Sequence, residues 1–100
     1  MKLRYKIWLE NDGKVFGDGP YDLLSRVDKL GSLRAAAREI NMSYSQAWEL
    51  VNGLEQRLGF KLLRREVGGS RGGGSYLTKE ARELMETYAK FTSECEIALH

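Results

Sequence analysis

The side chains of this 100-residue sequence with the clearest potential for chemistry are the cations gathered between residues 57 and 79. That segment carries six Lys and Arg residues against Glu66 alone, whereas residues 80–100 carry five Glu residues against two cations. A basic segment beside an acidic one favours one surface that binds a polyanion and a second surface kept away from it. A solvated charge run without a partner is the alternative that the charge pattern leaves open.

The sequence contains no set of residues with the composition of a catalytic or metal site. Cys95 and His100 are its only Cys and His, so it offers neither a Cys–His pair nor a set of zinc ligands. A single Cys cannot form an internal disulfide, which fits a reducing cytoplasm. Since no apolar run approaches the roughly 20 residues of a membrane span, we expect a cytoplasmic protein that is not an enzyme, does not enter a membrane and needs no metal or cofactor.

Two short helices joined by a tight corner are predicted over about 32–58. Ser32 precedes the first helix, and the alanines at 35–37 would let it pass close to its neighbour. Ser43 opens the second helix with Gln46 three residues later, which is the spacing of a capping box. This pattern is typical of a helix-turn-helix, whose second helix can enter the major groove of DNA.

The second of these helices carries side chains that could read bases. Its apolar stripe would face the core, which places hydroxyl, amide and aromatic groups together on another face, where they could reach base edges. Trp48 as a core residue and Gln46 as a cap alone are the alternatives, and Glu49 would meet phosphate unfavourably unless it accepts from a cytosine amine. The candidate DNA-facing residues of the two helices are Arg34, Ser43, Tyr44, Ser45, Gln46, Trp48, Glu49 and Asn52.

A glycine-rich segment at 68–75 lies between two short apolar runs and predicts a β-hairpin over about 61–77. It lacks the Lys-Ser/Thr ending of a phosphate-binding P-loop. A plain flexible linker is a second interpretation. The excess of positive charge favours a third, a wing whose tip puts Arg71 into a minor groove and Arg64 or Arg65 against the DNA backbone.

Further elements flank these motifs. Alternating residues in the first ten positions, a turn signal and Lys14–Phe16 predict an N-terminal β-hairpin. Pro20 suits the first turn of a helix that ends at Gly31. The predicted fold is a single α+β domain over 1–100, mostly α: an N-terminal β-hairpin, a three-helix core, a glycine-rich wing and a long C-terminal helix over about 78–99.

The final helix carries an apolar stripe that continues beyond what one small core can cover. The stripe recurs at three- and four-residue steps over about 30 Å. An exposed stripe of that length predicts a partner surface, here that of a twofold homodimer whose two recognition helices lie about 34 Å apart, one turn of DNA. The candidate dimerisation residues are Leu84, Met85, Tyr88, Phe91, Cys95 and Leu99.

The sequence from 31 to 55 resembles the winged helix-turn-helix of LysR-type bacterial regulators. Residues 42–49, with their Ser-Tyr-x-x-Ala-Trp pattern, and the glycine wing at 68–78 are more similar to the DNA-binding domains of molybdate-dependent (ModE-type) regulators. The resemblance implies a dimer on a palindromic operator, with the recognition helix and the wing facing DNA. Full-length members add a C-terminal molybdate-binding domain, whereas this chain stops at His100, so we assign no small-molecule ligand to its residues.

The sequence therefore predicts a sequence-specific regulator of transcription that binds double-stranded DNA as a homodimer and lacks the molybdate-binding domain. The alternative is a winged-helix protein-interaction module without DNA binding, which Glu49 and the small net charge of +2 keep open. Arginines on a glycine-rich tip favour DNA, since a protein-docking surface has little use for them.

Overall fold

The computed structural model describes residues 9–10, 14–66 and 74–99 of the chain. Within these ranges lie four helices and two separate two-stranded antiparallel sheets, which confirms the predicted fold class, a mostly helical winged helix-turn-helix. The predicted strand before Leu9, the turn after Glu10 and the tip of the wing lie outside the described residues. In chain order the elements are β1 (Leu9–Glu10), β2 (Lys14–Phe16), α1 (Asp18–Leu30), α2 (Leu33–Glu39), α3 (Tyr44–Leu58), β3 (Leu63–Glu66), β4 (Gly74–Leu77) and α4 (Lys79–Leu99).

Local sequence signals set the helix ends where we expected them. Gly31 and Gly59 follow α1 and α3 in the left-handed conformation, with φ of 71° and 84°, which glycine adopts without a Cβ clash. Ser32 caps α2 by accepting a hydrogen bond from the Ala35 N–H at 3.1 Å. Asn41 makes the corner between α2 and α3 with φ of 57°, which Asn tolerates better than most residues.

One hydrophobic core joins the first three helices to the base of the wing. α2 packs against both α1 and α3, and the small side chains of Ala36, Ala37 and Ala47, all buried, let the helix backbones approach closely. Because α3 contributes only its inner face, its opposite face is left to solvent. The other buried hydrophobic residues are Leu23, Leu24, Val27, Leu33, Val51, Leu54, Leu62, Leu77, Ala81 and Tyr88.

Tyr88 anchors the first half of α4 to this core. Its side chain is buried, and its ring centroid lies 5.4 Å from that of Tyr21 on α1. The expectation that Tyr88 belongs to a dimer surface is therefore corrected, because α1 already covers the side of α4 on which Tyr88 lies. One turn further on, Phe91 is 42% exposed. The side chains of Cys95 and Leu99 lie outside the described part of the chain.

Gly53 lies inside α3 at a position where the fold does not require glycine. A Cβ built there would meet no atom within 4 Å. Replacing Gly53 with Ala should raise the free energy of unfolding by about 0.5–1 kcal/mol, since glycine loses more backbone freedom than alanine in a helix. Thermal unfolding followed by circular dichroism should show a melting temperature higher by roughly 2–8 °C. A lower melting temperature would contradict this assignment.

Candidate nucleic-acid interface

The first turn of α3 is closed by the predicted capping box. The Ser43 hydroxyl accepts from the Gln46 N–H, and the Gln46 side-chain oxygen accepts from the Ser43 N–H, both at 3.1 Å. Both side-chain oxygens are thus engaged within the helix terminus, whereas the Gln46 amide nitrogen keeps its donors. The first-turn N–H groups of Tyr44 and Ser45 have no intrahelical partner, so they are suited to an anion.

The predicted reading face of α3 is open to solvent. Ser45, Glu49 and Asn52 are exposed, and Trp48 is 39% exposed, which rules out the interpretation of Trp48 as a core residue. These side chains lie on the opposite face from Ala47 and the rest of the buried stripe. A helix held by one face and presenting hydroxyl, amide and carboxylate groups on the other has the form that base-edge recognition in a major groove requires.

Two arginines stack on the two aromatic side chains of this helix. The guanidinium carbon of Arg34, on α2, lies 4.3 Å from the ring centroid of Tyr44. That of Arg65, on β3, lies 4.3 Å from the ring of Trp48 and 5.9 Å from the ring of Tyr44. All three separations are within the range of a cation–π attraction. We call Arg34, Tyr44, Arg65 and Trp48 the arginine–aromatic stack; it connects α2, α3 and the wing.

A buried carboxylate fixes the start of the wing against α3. Glu55 is only 7% exposed, and one of its oxygens accepts from the backbone N–H groups of Leu62 at 2.7 Å and Leu63 at 3.3 Å. Its other oxygen lies 3.6 Å from the Lys61 ammonium nitrogen. Glu55 is not among the residues predicted from the sequence to have a role. Its place within the apolar stripe of α3, next to Leu54, is the signal that could have found it.

The second strand of the wing is tied to two other elements. The Thr78 hydroxyl donates to the Lys61 carbonyl at 2.6 Å and accepts from the Ala81 N–H at 3.0 Å, so it joins the base of the wing to the first turn of α4. The Ser75 N–H donates to the Gly31 carbonyl at 3.0 Å, at the corner between α1 and α2. The base of the wing is therefore held from both sides of the helix-turn-helix.

Gly74 sits where this second attachment leaves no room for a side chain. A Cβ at Gly74 would lie 2.9 Å from the Gly31 carbonyl oxygen, which belongs to the backbone and cannot rotate away. Replacing Gly74 with Ala should therefore break the hydrogen bond between Ser75 and Gly31 and lower the free energy of unfolding by about 1–3 kcal/mol. Hydrogen exchange of the Ser75 amide should speed up by more than tenfold. Unchanged exchange would contradict this view of the wing.

Arginines around α3 differ in their ion pairing from Arg26 and Arg82 on other elements. Arg26 on α1 lies 2.7 Å from Glu39 and 3.0 Å from Asp22, and its hydrogen bonds to Glu39 and then to Asp22 raise the pKa of the guanidinium. Arg82 on α4 lies 2.7 Å from Asp28 on α1. Among the residues that the structure describes, no carboxylate pairs with Arg34, Arg38, Arg64 or Arg65.

An open groove of about 390 Å³ lies beside the corner between α2 and α3. It brings Arg38 and Asn41, which are not among the predicted DNA-facing residues, next to predicted phosphate-binding residues. Arg38 follows Arg34 by one helical turn, and that spacing is the signal that could have found it. Two guanidinium groups beside a helix N-terminus can hold phosphate oxygens. The groove is lined by Arg34, Arg38, Asn41, Met42, Ser43 and Tyr44.

Three further features bear on this surface: the predicted contact of Arg71, possible metal ligands and possible membrane-spanning helices. Arg71 is outside the described residues, so its predicted place at the wing tip and its minor-groove contact stay predictions. In the ranges that are described, no cluster of three or more His, Cys, Asp or Glu side chains is arranged to hold a metal ion. None of the helices there combines the length and apolar character needed to cross a membrane.

A known protein family matches the part of the chain that forms this surface. The family model described as bacterial regulatory helix-turn-helix protein, LysR family, matches residues 21–82. The match begins in α1, includes α2, α3 and the wing, and ends in the first turn of α4. It therefore contains every element of the interface described above.

Similar proteins include bacterial regulators and a molybdenum-pterin-binding protein. MopB of Rhodobacter capsulatus, the molybdenum-pterin-binding protein, is 35% identical over 80% of this chain and 30% of its own length. The transcriptional regulator ModE of Haemophilus influenzae is 33% identical over 78% of this chain and 31% of its own length. The DNA-binding transcriptional dual regulator ModE of Escherichia coli K12 is 30% identical over 88% of this chain and 34% of its own length. The chain thus spans about a third of the length of these curated relatives.

A solved structure gives the same picture of the fold. The crystal structure of ArgP from Mycobacterium tuberculosis matches with a TM-score of 0.58 and 26% sequence identity. The match covers 79% of this chain and 28% of ArgP.

Proposed function

The chain belongs to the LysR family of bacterial helix-turn-helix regulators, and on that basis we propose that it binds double-stranded DNA sequence-specifically in the cytoplasm and regulates transcription. The observation that carries the proposal is the set of four arginines around the exposed face of α3 for which the described residues provide no carboxylate partner. Arg26 on α1 and Arg82 on α4, by contrast, are matched by carboxylates. Unmatched positive charge beside an exposed helix is suited to a phosphate backbone.

The proposed mode of binding assigns separate tasks to the elements. α3 enters the major groove, where Ser45, Glu49 and Asn52 reach base edges. Arg34 and Arg38, on α2, hold phosphates beside the N-terminus of α3. The wing grips the adjacent backbone through its arginines, and Arg71 at its tip enters the minor groove.

The proposal for this chain is confined to DNA. Relatives named for molybdenum and molybdenum-pterin match over only about a third of their own lengths. No residue of this chain is assigned to molybdate or to another small molecule.

We further propose that the chain acts as a homodimer through α4. Phe91 is exposed on a helix that extends beyond the core, whereas Leu84 and Met85 are half-buried because they already pack in part against the core of their own subunit. Cys95 and Leu99 continue the same stripe at helical spacing. A second copy of this helix would cover the stripe, and twofold symmetry would place two copies of α3 on successive turns of one DNA face.

Selection from a random pool of labelled duplexes tests both parts of the proposal. Repeated capture by the chain should enrich a palindrome whose half-sites lie about 10 base pairs apart, and sedimentation at micromolar concentration should give the mass of a dimer. Enrichment of a single half-site with a monomer mass would contradict the dimer alone. No enrichment at low salt would contradict DNA binding and would favour a protein-interaction module.

A further inference from the structure

We propose that Trp48 and Tyr44 position the arginines of the arginine–aromatic stack and do not themselves read bases. The inference rests on the proposed DNA binding, and it assigns to the two aromatic residues a task different from that of Ser45 and Asn52. Trp48 holds Arg65, a wing residue, and Tyr44 holds Arg34, a residue of α2.

The geometry places the guanidinium of Arg65 over the indole ring. Its central carbon lies 4.3 Å from the Trp48 ring centroid, well within the range of a cation–π contact. The indole face covered by Arg65 is closed to a nucleotide base. The indole N–H is the only hydrogen-bonding group of the Trp48 side chain, so Trp48 can donate at most one hydrogen bond to a base edge.

Stacking also lowers the conformational entropy that these arginine side chains lose when they bind. An exposed Arg without a carboxylate partner samples many rotamers, and ordering it on binding costs free energy. A ring face restricts that sampling and leaves the N–H groups at the edge of the guanidinium free to donate. The stack therefore presents Arg34 and Arg65 to phosphates already oriented.

The stack further couples the wing to α3. Arg65 lies on β3 opposite Ser75 on β4, and Ser75 is hydrogen-bonded to the corner between α1 and α2. Both arginines of the stack approach the ring of Tyr44, from α2 and from the wing. Trp48→Leu therefore removes the shorter of the two ring contacts that Arg65 makes with α3.

Two duplexes separate positioning from base reading. One is the sequence enriched by the wild-type chain, and the other is an unselected duplex of the same length. If Trp48 positions Arg65, Trp48→Leu weakens binding to both duplexes by a similar factor, about fivefold, and Trp48→Phe recovers part of the loss because it retains a ring. Weaker binding to the enriched duplex alone would overturn the proposal, since that result is the signature of a base reader.

A double-mutant cycle provides a second test of the contact between Trp48 and Arg65, with Arg64 as the matched control. Arg64 neighbours Arg65 on β3 and makes no ring contact among the described residues. The double variant Trp48→Leu, Arg65→Ala should bind DNA only slightly more weakly than Arg65→Ala alone. In the double variant Trp48→Leu, Arg64→Ala, the fold losses of affinity of the two single variants should instead multiply. Multiplied losses in both combinations would overturn the coupling.

A readout without DNA distinguishes failure of this inference from failure of the proposed function. In the free wild-type chain, the Arg65 side-chain N–H resonance should be shifted upfield by the ring current of Trp48, and Trp48→Leu should remove the shift. Arg65→Lys identifies the resonance. If the wild-type chain binds neither duplex, DNA binding fails while the stack is still judged by this shift; an Arg65 resonance that Trp48→Leu leaves in place overturns the stack itself.

Discussion

Replacing Glu55 with Ala is expected to lower the free energy of unfolding by about 2–4 kcal/mol, the largest stability effect of any single substitution that we predict at the interface. The carboxylate accepts two backbone N–H groups at the start of the wing, and Leu62, one of the donors, is fully buried. Removing the acceptor leaves a buried donor without a partner and also removes hydrogen bonds to a charged group. Lys61 is mostly exposed, so the ion pair contributes little.

Glu49 provides the matched control, since it is an exposed Glu on the same helix. Glu49→Ala should change the free energy of unfolding by less than about 0.5 kcal/mol. The free energy of unfolding of Glu55→Gln should lie between those of Glu55→Ala and Glu49→Ala, because the amide oxygen of Gln can still accept from the Leu62 N–H. Chemical denaturation measures all three variants. A Glu55→Ala chain as stable as Glu49→Ala would show that the wing does not depend on this carboxylate.

Removing Arg34 and Arg38 together is expected to give the largest loss of DNA binding. If each holds one phosphate, the slope of log affinity against log salt becomes shallower by about two units per subunit, and affinity near 0.1 M salt falls by about 50-fold. The loss should be similar for selected and unselected duplexes, since phosphate contacts carry no sequence information. Titration of a labelled duplex at several salt concentrations measures both quantities.

The paired arginines supply a control with the same change in net charge. Arg26→Ala combined with Arg82→Ala removes two cations whose partners are Asp22, Glu39 and Asp28. That variant should keep the wild-type salt slope. Equal losses for the two double variants would mean that overall charge, and not the surface beside α3, determines binding.

Elements whose signals act within one turn of the chain could be predicted from the sequence. Ser32, the capping box of Ser43 and Gln46, and the left-handed glycines 31 and 59 are all of this kind. Their hydrogen bonds join residues at most four positions apart, so the residue types and spacing contain the whole interaction.

Contacts between distant elements could not be predicted in the same way. Glu is a residue type usually found at the surface, and the backbone N–H groups that bind the buried Glu55 carboxylate belong to Leu62 and Leu63, beyond the turn at Gly59. The stack of Arg65 on Trp48 joins two elements whose relative placement depends on the packed core. Sequence spacing placed Trp48 on the exposed face correctly but gave no sign that an arginine covers its ring.

Tyr88 shows the limit of periodicity on a single helix. Helical spacing identified an apolar stripe on α4, but it does not tell which part of the stripe the subunit itself covers. Tyr21 on α1 covers Tyr88, while Phe91 stays exposed. Tyr88 is therefore not part of the partner surface that we propose, whereas Phe91 remains available to a partner.

The salt dependence of duplex binding by the intact chain is the most direct test of DNA binding through this surface. Fluorescence anisotropy of a labelled duplex, titrated between about 50 and 200 mM salt, gives the slope of log affinity against log salt. Four unpaired arginines predict a slope of about −3 to −4 per subunit, since each phosphate contact contributes about −0.9. A slope near zero, or no binding at the lowest salt, would contradict the proposal that this surface binds DNA.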